Sequence, residues 1–181
     1  VEKIINGESQ NVIFNITPGS GKTEIFSIHM SPYASLKSRK VRNLNRSFSD
    51  GLVQQNSNRI KEIIGSPEWQ ELWPGKLAKA SAKDLIVTEG GKVKLQVNSR
   101  SIGGQVTGLR GGYMDDGFTG MLVLDDPDKP DDMLSKVKRE AIHMRLKNTV
   151  RSRRMKDTTP IVMVQQRLHV NDSTWFMLNG G

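Results

Sequence analysis

The sequence contains no cysteine, few aromatic residues and no long hydrophobic run. The absence of cysteine excludes disulfides and thiolate metal sites, and it fits a reducing compartment. No apolar run approaches the roughly 20 residues that a helix needs to cross a bilayer, which argues against a membrane protein. Hydrophobic residues make up 35% and charged residues 25% of the 181 residues, a balance typical of a chain that folds around one substantial core.

Positive charge is in excess, because 27 lysines and arginines stand against 19 acidic residues and give a net charge of +8. This excess favours a polyanionic partner, most simply nucleic acid, although a basic surface also serves solubility alone. The densest concentration of positive charge falls in a predicted helix over Asp131–Val150 and the turn after it. Between Lys136 and Lys156 Glu140 is the single acid. That face is interpreted either as solvated or as a surface for the DNA backbone or a subunit. Its nine bases are Lys136, Lys138, Arg139, Arg145, Lys147, Arg151, Arg153, Arg154 and Lys156.

The stretch Asn11–Thr23 (NVIFNITPGSGKT) has the order of a β-strand, a glycine loop and a helix start. The two glycines can turn successive backbone N–H groups toward one side, and the first turn of the helix adds its own. In such a loop Lys22 reaches the β and γ phosphates of ATP, and the Thr23 hydroxyl ligates Mg²⁺. Ile16 stands where the usual pattern has its first glycine, and a Gly/Pro turn before an ordinary helix is the plain alternative. The predicted phosphate-binding residues are Pro18, Gly19, Ser20, Gly21, Lys22 and Thr23.

A second functional signal is Phe118–Asp126 (FTGMLVLDD), an apolar run that ends in two adjacent carboxylates. A continuous apolar run is typical of a central parallel strand that is buried on both faces. Carboxylates at the carboxyl end of such a strand usually border a ligand site, because burying them elsewhere is costly. We predict that Asp125 supports Mg²⁺ and that Asp126 orients and activates the attacking water. The alternative is a strand followed by an ordinary Asp–Asp–Pro turn.

Two more segments complete the set of candidate site residues. Thr159–Gln165 repeats the buried-strand pattern and continues into Gln166 and Arg167. A glutamine amide or the arginine at this strand end would lie beside the phosphate-loop strand and sense the γ-phosphate. The glycine-rich segment Ser101–Gly112 carries one charge, Arg110. An arginine on such a loop is either solvated or acts as a finger that stabilises charge on the transferring phosphate.

The remaining elements are predicted from periodicity, caps and turn residues. The helix after the phosphate loop is expected to end at Pro32, because proline cannot donate to the helical ladder. Helix 131–150 is expected to bury the stripe Leu134, Val137, Ala141 and Met144. The other predicted elements are a strand at Val41–Asn45, a helix from Ser49 or Asp50 to about Ile64, a short helix from Ser66 that packs through Trp69, Leu72 and Trp73, a hairpin of Asp84–Thr88 and Lys92–Val97, and a last helix through Leu178.

A phosphate-loop strand, an acid-tipped strand and a polar-tipped strand, with helices between them, predict an α/β fold. The expected architecture is a RecA-like additional-strand P-loop ATPase with a mostly parallel central sheet and helices on both faces. The sequence also resembles the ATPase domain of the large terminase subunit of tailed bacteriophages over nearly its whole length. The motifs that carry this resemblance are TPGSGKT, NRSFSDGLV…IIGSPEWQELWP, VTGLRGGY, MLVLDDPDKPDD and PIVMVQQRLHVNDSTWFM.

The resemblance implies a motor that hydrolyses ATP, with Mg²⁺, to drive double-stranded DNA through a portal into a procapsid. Lys22, Thr23 and Asp125 match the residues that bind phosphate and metal, and Asp126 matches the catalytic carboxylate, which is usually glutamate. Gln166 matches the coupling position, and Arg110 matches the arginine finger given to a neighbouring subunit. The implied partners are DNA, the portal protein, the small terminase subunit and further copies in a ring. The implied location is the host cytoplasm, at the procapsid.

The chain is expected to be a single ATPase domain over residues 1–181, without the nuclease domain of large terminases, and so not to cleave DNA. An adenine-contacting segment would fall within Val1–Gln10. Two other functions remain open. One is another nucleic-acid-stimulated ATPase such as a superfamily 2 helicase, although no DEAD-type sequence follows Leu124. The other is a non-catalytic assembly module that uses nucleotide only to set its shape.

Overall fold

The computed structural model describes residues 1–180, apart from the side chain of Arg151. Within this range seven strands and seven α-helices follow one another, and a π-helical turn at Glu24–His29 directly precedes the second α-helix. The strands are β1 (Asn11–Asn15), β2 (Val41–Ser47), β3 (Lys76–Ala80), β4 (Asp84–Glu89), β5 (Lys92–Ser101), β6 (Leu122–Asp125) and β7 (Ile161–Gln165). The helices are α1 (Glu2–Ile5), α2 (Met30–Lys37), α3 (Asp50–Gly65), α4 (Pro67–Leu72), α5 (Pro130–Met133), α6 (Lys136–Ser152) and α7 (Ser173–Leu178).

The seven strands form one sheet in the order β1-β7-β6-β2-β5-β4-β3. The first five of these are parallel to one another, whereas β4 and β3 run antiparallel at one side. Every residue of β6 and β7 is buried, which explains why both read as continuous apolar runs. The predicted fold class, a mostly parallel sheet flanked by helices, is confirmed.

The two faces of the sheet pack against different helices. Because successive residues of a strand point to opposite faces, Leu122 and Leu124 of β6 pack with α6, whereas Met121 and Val123 pack with the helix that follows β1. A third cluster joins β4 and β5 to α3 through Ile60. The core therefore fixes the carboxyl ends of β1, β6 and β7 side by side, where the predicted phosphate loop begins.

The predicted end of the first long helix at Pro32 is wrong. The π-helical turn runs directly into α2, and Pro32 is the third residue of α2. The amide of Met30 donates to the carbonyl of Ile25, five residues back, so the turn before Pro32 is wider than an α-turn. This wider turn accommodates the proline ring, which in a regular helix would clash with the carbonyl four residues earlier.

The predicted buried stripe of the basic helix is also wrong. The segment divides into α5 and α6, and Ser135 caps α6 by accepting a hydrogen bond from the amide of Lys138. The buried face of α6 consists of Ile142, Leu146 and Val150, one helical turn apart. The segment carries two apolar stripes with helical spacing, and periodicity alone did not identify the one that meets the sheet. The stripe expected in the core, Leu134, Val137, Ala141 and Met144, is exposed.

Smaller differences concern the edge of the sheet. The hairpin of β4 and β5 is confirmed, but β3, whose residues are all exposed, was not predicted. Trp69 and Trp73 pack edge to face as expected, whereas Leu72 is exposed at the end of α4. In the part of the chain that the structure describes, no helix is long and apolar enough to cross a membrane.

Candidate functional site

The predicted phosphate loop lies between the carboxyl end of β1 and the π-helical turn. Gly19 and Gly21 have φ angles of 78° and 77°, which favour glycine over any L-residue with a side chain. A Cβ atom at either position would meet no other atom within 4 Å, so the backbone conformation, not crowding, requires glycine there. The Ser20 hydroxyl closes the turn by donating to the Thr17 carbonyl at 2.7 Å. The loop is open to solvent and leads into a helix start, an arrangement suited to holding an anion.

Two contacts join this loop to the acidic end of β6. Lys22 Nζ lies 2.9 Å from Asp126 Oδ2, and the lysine side chain is only 10% exposed. The Thr23 hydroxyl donates to Asp125 Oδ1 at 3.2 Å. The structure thus brings together four of the residues that the sequence assigned to nucleotide, metal and catalysis, although β7 lies between β1 and β6.

Ser27 is a site residue that the sequence analysis missed. Its hydroxyl donates to Asp125 Oδ2 at 2.6 Å, so both carboxylate oxygens of Asp125 accept a hydrogen bond from the same helix. Ser27 lies four residues after Thr23, one helical turn along the same face, and that spacing was the available signal. Burial raises the pKa of Asp125, and the neighbouring charge of Asp126 adds to this, while the Ser27 and Thr23 hydroxyls and Lys22 act in the opposite sense.

Asp126 has the only positive φ angle among the described residues other than glycine, 42°. Its backbone is held on both sides: its amide donates to the Val164 carbonyl at 2.8 Å, and its carbonyl accepts from Phe48 at 3.2 Å. Aspartate and asparagine tolerate this left-handed conformation better than longer or branched residues. Strain of this kind persists where the surrounding structure fixes it, and it turns the Asp126 side chain toward Lys22.

The end of β7 lies beside the start of the phosphate loop. Asn15 pairs with Gln165, and the amide of Ile16 donates to the Gln165 carbonyl at 3.0 Å. Gln166 is the next residue, half-buried at this same edge of the sheet. The structure therefore puts Gln166 next to the loop in the chain's own site.

A buried polar network, also missed from the sequence, lies behind these strand ends. Asp128 accepts hydrogen bonds from both the amide and the hydroxyl of Ser173 at the start of α7. The Thr174 hydroxyl donates to Asn15 Oδ1 at 2.7 Å and lies 2.6 Å from the Gln165 amide. Burial raises the pKa of Asp128. The network ties α7 to the ends of β1 and β7 and to the loop after β6.

Arg110 does not belong to this group. It is exposed, and its guanidinium lies 3.8 Å from the Met155 sulfur. The segment that carries Arg110 is hydrogen-bonded to the amino ends of the parallel strands, because the Gly112 amide donates to the carbonyl of Arg42 near the start of β2. The carboxyl and amino ends of the parallel strands are separated by the length of a strand, on the order of 15–20 Å. Within one chain, Arg110 is therefore remote from Lys22.

Several bases of the predicted charged surface are already paired. Lys138 contacts Asp132 at 2.7 Å, and Lys136 contacts Glu140 at 3.8 Å. Arg154 is partly buried and donates to the Asp157 carbonyl at 2.8 Å. The side chain of Arg151 lies outside the described part of the structure, so its predicted role stays a prediction.

The oxygen atoms of Thr23 and Asp125 are the kind of ligands that Mg²⁺ prefers, and they lie side by side. Among the described residues, no group of three or more His, Cys, Asp or Glu side chains is arranged to hold a metal ion. Magnesium commonly takes one or two protein oxygens and completes its shell with phosphate oxygens and water. The residues present fit a magnesium ion that is bound together with a nucleotide.

Comparison with solved structures shows what this fold is similar to. The large terminase of a thermophilic bacteriophage matches with a TM-score of 0.56 and 12% identity, covering 91% of this chain and 37% of that one. Another crystal form of that terminase, in complex with ADP, matches with a TM-score of 0.49 and 14% identity over 91% of this chain and 37% of that one. The HK97 bacteriophage large terminase matches with a TM-score of 0.49 and 14% identity over 87% of this chain and 29% of that one.

The chain spans about a third of the length of these structures. No family model and no curated protein matches the sequence. The likeness to a large terminase that the motifs indicated is therefore confirmed at the level of the fold.

Proposed function

We propose that this chain is the ATP-hydrolysing motor domain of a terminase that packages viral DNA. The observation that carries the proposal is the pair of contacts between the glycine loop and the acidic strand end, Lys22 with Asp126 and Thr23 with Asp125. A lysine, a hydroxyl and two carboxylates around an open loop of backbone N–H groups form the arrangement that nucleotide hydrolysis requires. The terminase fold supports the choice of this ATPase class over a helicase.

Each residue of the site has a distinct role in this proposal. The amides from Gly19 to Thr23 hold the phosphates, and Lys22 exchanges Asp126 for the β and γ phosphate oxygens. Thr23 and Asp125 would hold Mg²⁺, which neutralises phosphate charge when it is bound. Once Lys22 has turned to the phosphates, the Asp126 carboxylate is available to orient a water and accept its proton. Ser27 keeps Asp125 in place.

Gln166 and Arg110 act at different distances from this centre. Gln166, beside the start of the loop, contacts the γ-phosphate or the attacking water. When the γ-phosphate leaves, the loss of this contact is transmitted to α7 through the neighbouring Gln165 and Thr174. Arg110 lies at the other edge of the sheet and serves the site of an adjacent subunit, where it stabilises charge on the phosphate that is transferred. The proposal therefore includes a ring of copies.

The same proposal includes the extent of the domain, its partners and its location. The chain acts as one ATPase domain over residues 1–181, on double-stranded DNA, at the portal and with the small terminase subunit, in the host cytoplasm. The excess of positive charge, +8 over the chain, supports a polyanionic partner. The non-catalytic alternative requires the same loop but no turnover, so a hydrolysis assay separates the two.

The experiment that tests the proposal compares Lys22→Ala with Lys76→Ala, an exposed lysine on β3. ATP binding is measured by calorimetry, and hydrolysis is measured by phosphate release from the assembled protein with DNA present. We expect Lys22→Ala to lose both, with an unchanged circular dichroism spectrum, and Lys76→Ala to keep both. Hydrolysis at the wild-type rate in Lys22→Ala would overturn the proposal. Intact binding without turnover in the wild-type ring would favour the non-catalytic module.

A further inference from the structure

Helix α6 presents an apolar stripe to solvent on the side opposite its buried face. Val137 and Met144 are 75% and 59% exposed, and Leu134, in the turn before the helix, is 86% exposed. Ala141 is exposed between them. At 100° per residue Val137, Ala141 and Met144 fall within about 60° of arc, centred roughly opposite Ile142, Leu146 and Val150. Leu134 precedes the extended cap residue Ser135 and so lies next to this stripe without being part of the helix. A helix that is apolar on both sides has a second face suited to packing.

The spacing of this stripe is that of a coiled-coil seam. Within α6, Val137, Ala141 and Met144 follow one another at intervals of four and three residues, as the d, a and d positions of a heptad pattern do. Asn148 takes the next a position, where a polar residue is commonly used to set register. The stripe therefore has the pattern by which one helix receives another, and not only scattered exposed residues.

The charges that flank the stripe identify the kind of partner. In this register the e positions are Lys138 and Arg145, and the g positions are Glu140 and Lys147. Asp132 and Glu140 contact Lys138 and Lys136, but all four side chains remain partly exposed and such surface pairs are weak. The flanks keep an excess of positive charge, and a partner helix with acidic flanks would complement them.

We propose that the outer face of α6 is a docking surface for an acidic amphipathic helix of a partner protein. The helix would bury its own apolar seam on Leu134, Val137 and Met144 and place carboxylates against Lys138, Arg145 and Lys147. The surface shares no residue with the candidate nucleotide site, so the inference does not depend on ATP hydrolysis.

Two other occupants fit the same face less well. Duplex DNA would meet lysine and arginine at the flanks, but its phosphates gain nothing from a central row of valine, methionine and leucine. In a parallel pair with a second copy only Glu140 and Arg145 would match, and Lys138 and Lys147 would meet no acid, so an acidic helix complements these flanks more completely. An apolar centre with a charged rim is the usual anatomy of a protein interface.

The test uses the full chain and two synthetic helical peptides of about four heptads, with leucine at a and d and either glutamate or lysine at e and g. Binding is measured by fluorescence anisotropy. We expect the glutamate peptide to bind and the lysine peptide to bind at least about tenfold more weakly. The variant Val137→Asp/Met144→Asp should lose about tenfold or more in affinity for the glutamate peptide. Leu72→Asp, at an equally exposed leucine on α4, is the matched control and should bind as the wild type does.

A charge exchange sharpens the test. In Lys138→Glu/Arg145→Glu/Lys147→Glu the preference should reverse toward the lysine peptide, a result that simple loss of stability does not produce. The proposal is overturned if neither peptide binds, or if the exchange abolishes binding of a DNA duplex and leaves the peptides unaffected. It is equally overturned if Val137→Asp/Met144→Asp acts only by abolishing self-association in sedimentation.

Discussion

At the scale of single residues, both the side chain and the backbone of Asp126 are fixed by contacts. It pairs with Lys22 across the site, and its left-handed backbone is fixed by hydrogen bonds to Val164 of β7 and to Phe48 after β2. A nucleotide that takes Lys22 must first break this ion pair. In the proposed mechanism the carboxylate therefore competes with phosphate for the lysine before it accepts a proton from water.

This competition predicts opposite effects of Asp126→Asn on binding and turnover. Asparagine tolerates the same φ angle and keeps the shape of the side chain, but it removes the charge that holds Lys22. We expect ATP to bind more tightly by about 1 kcal/mol, roughly fivefold, while hydrolysis is lost. Calorimetry and phosphate release measure the two quantities. Weaker binding in Asp126→Asn would contradict the competition, and retained turnover would remove Asp126 as the base.

Arg46 is a buried charge without an acidic partner among the described residues. It is 2% exposed, and only its Nη2 donates, to the Ile102 carbonyl at 2.6 Å. Burial, together with the smaller effect of the nearby Arg100 and Arg153 charges, lowers the pKa of Arg46 to about 10. A buried charge of this kind costs stability unless it is compensated.

We therefore expect Arg46→Met to keep or raise the free energy of unfolding, by about 1–3 kcal/mol, because methionine fills similar space without a charge. Arg46→Ala should be less stable than Arg46→Met, since it leaves a cavity. Urea unfolding of both variants measures the difference. A loss of stability in Arg46→Met would mean that the guanidinium has a compensating partner such as an anion.

At the scale of elements, α7 depends on its cap. Asp172 is fully buried and accepts hydrogen bonds from the Trp175 amide, the Leu168 amide and Arg167 Nε. The same carboxylate thus starts the helix and fixes the turn that follows β7. The helix and the turn are therefore coupled through one side chain.

Asp172→Ala should lower the free energy of unfolding by about 2–4 kcal/mol, because it removes the cap and leaves buried donors without an acceptor. Asp116→Ala, at an exposed loop position, is the matched control and should change stability by less than about 0.5 kcal/mol. Thermal and urea unfolding provide the measurement. Equal stability of the two variants would show that α7 does not depend on this cap.

Asp128 makes the junction between α7 and the loop after β6 sensitive to pH. Burial raises the pKa of Asp128 above its ordinary value of 3.8, so the folded chain binds this proton more tightly than the unfolded chain. As the pH rises from about 3.8 through the raised pKa, this group therefore lowers the free energy of unfolding. Asp128→Asn should lack this decrease, so its stability relative to the wild type should increase with pH across that window. Urea unfolding at a series of pH values would show this, and a difference independent of pH would refute it.

The sequence predicted the elements whose local signals agree with their place in the fold. The runs of β6 and β7 are apolar because both faces are covered, and the glycine loop has a conformation that few residues can adopt. Asp128 was not predictable as a site residue, since its role arises from contacts with Ser173 across 45 residues of sequence. The spacing of Ser27 from Thr23 places both on one helix face, but it does not by itself reveal the contact with Asp125, 98 residues away. The buried face of α6 was mistaken because two apolar stripes compete and only the sheet decides between them.

At the scale of the whole molecule, the sheet separates Arg110 from the candidate nucleotide site of its own chain. The phosphate loop follows the carboxyl end of β1, while Arg110 lies at the edge where β2 begins. A finger at this position can serve only a neighbour. The active unit of the proposed motor is then an interface between copies.

This arrangement predicts rescue between two inactive variants. Arg110→Ala keeps an intact loop and Asp126→Asn keeps an intact finger, so a mixed ring contains some complete sites. We expect each variant alone to be inactive, the mixture to recover part of the ATPase rate, and the wild-type rate per subunit to rise with protein concentration. A flat rate per subunit without rescue would mean that each site is self-contained.

The position of β1 at the end of the strand order has a consequence for how the protein opens. Among the described residues β1 pairs with β7 alone, whereas β6 is bonded on both sides. The outward-facing amides of β1 can exchange their hydrogens for deuterium while all strands stay paired. The amides of β6 exchange only when β6 separates from a neighbouring strand. The phosphate loop is thus attached to an edge strand, and we expect its backbone to loosen and close while the central strands of the sheet stay intact.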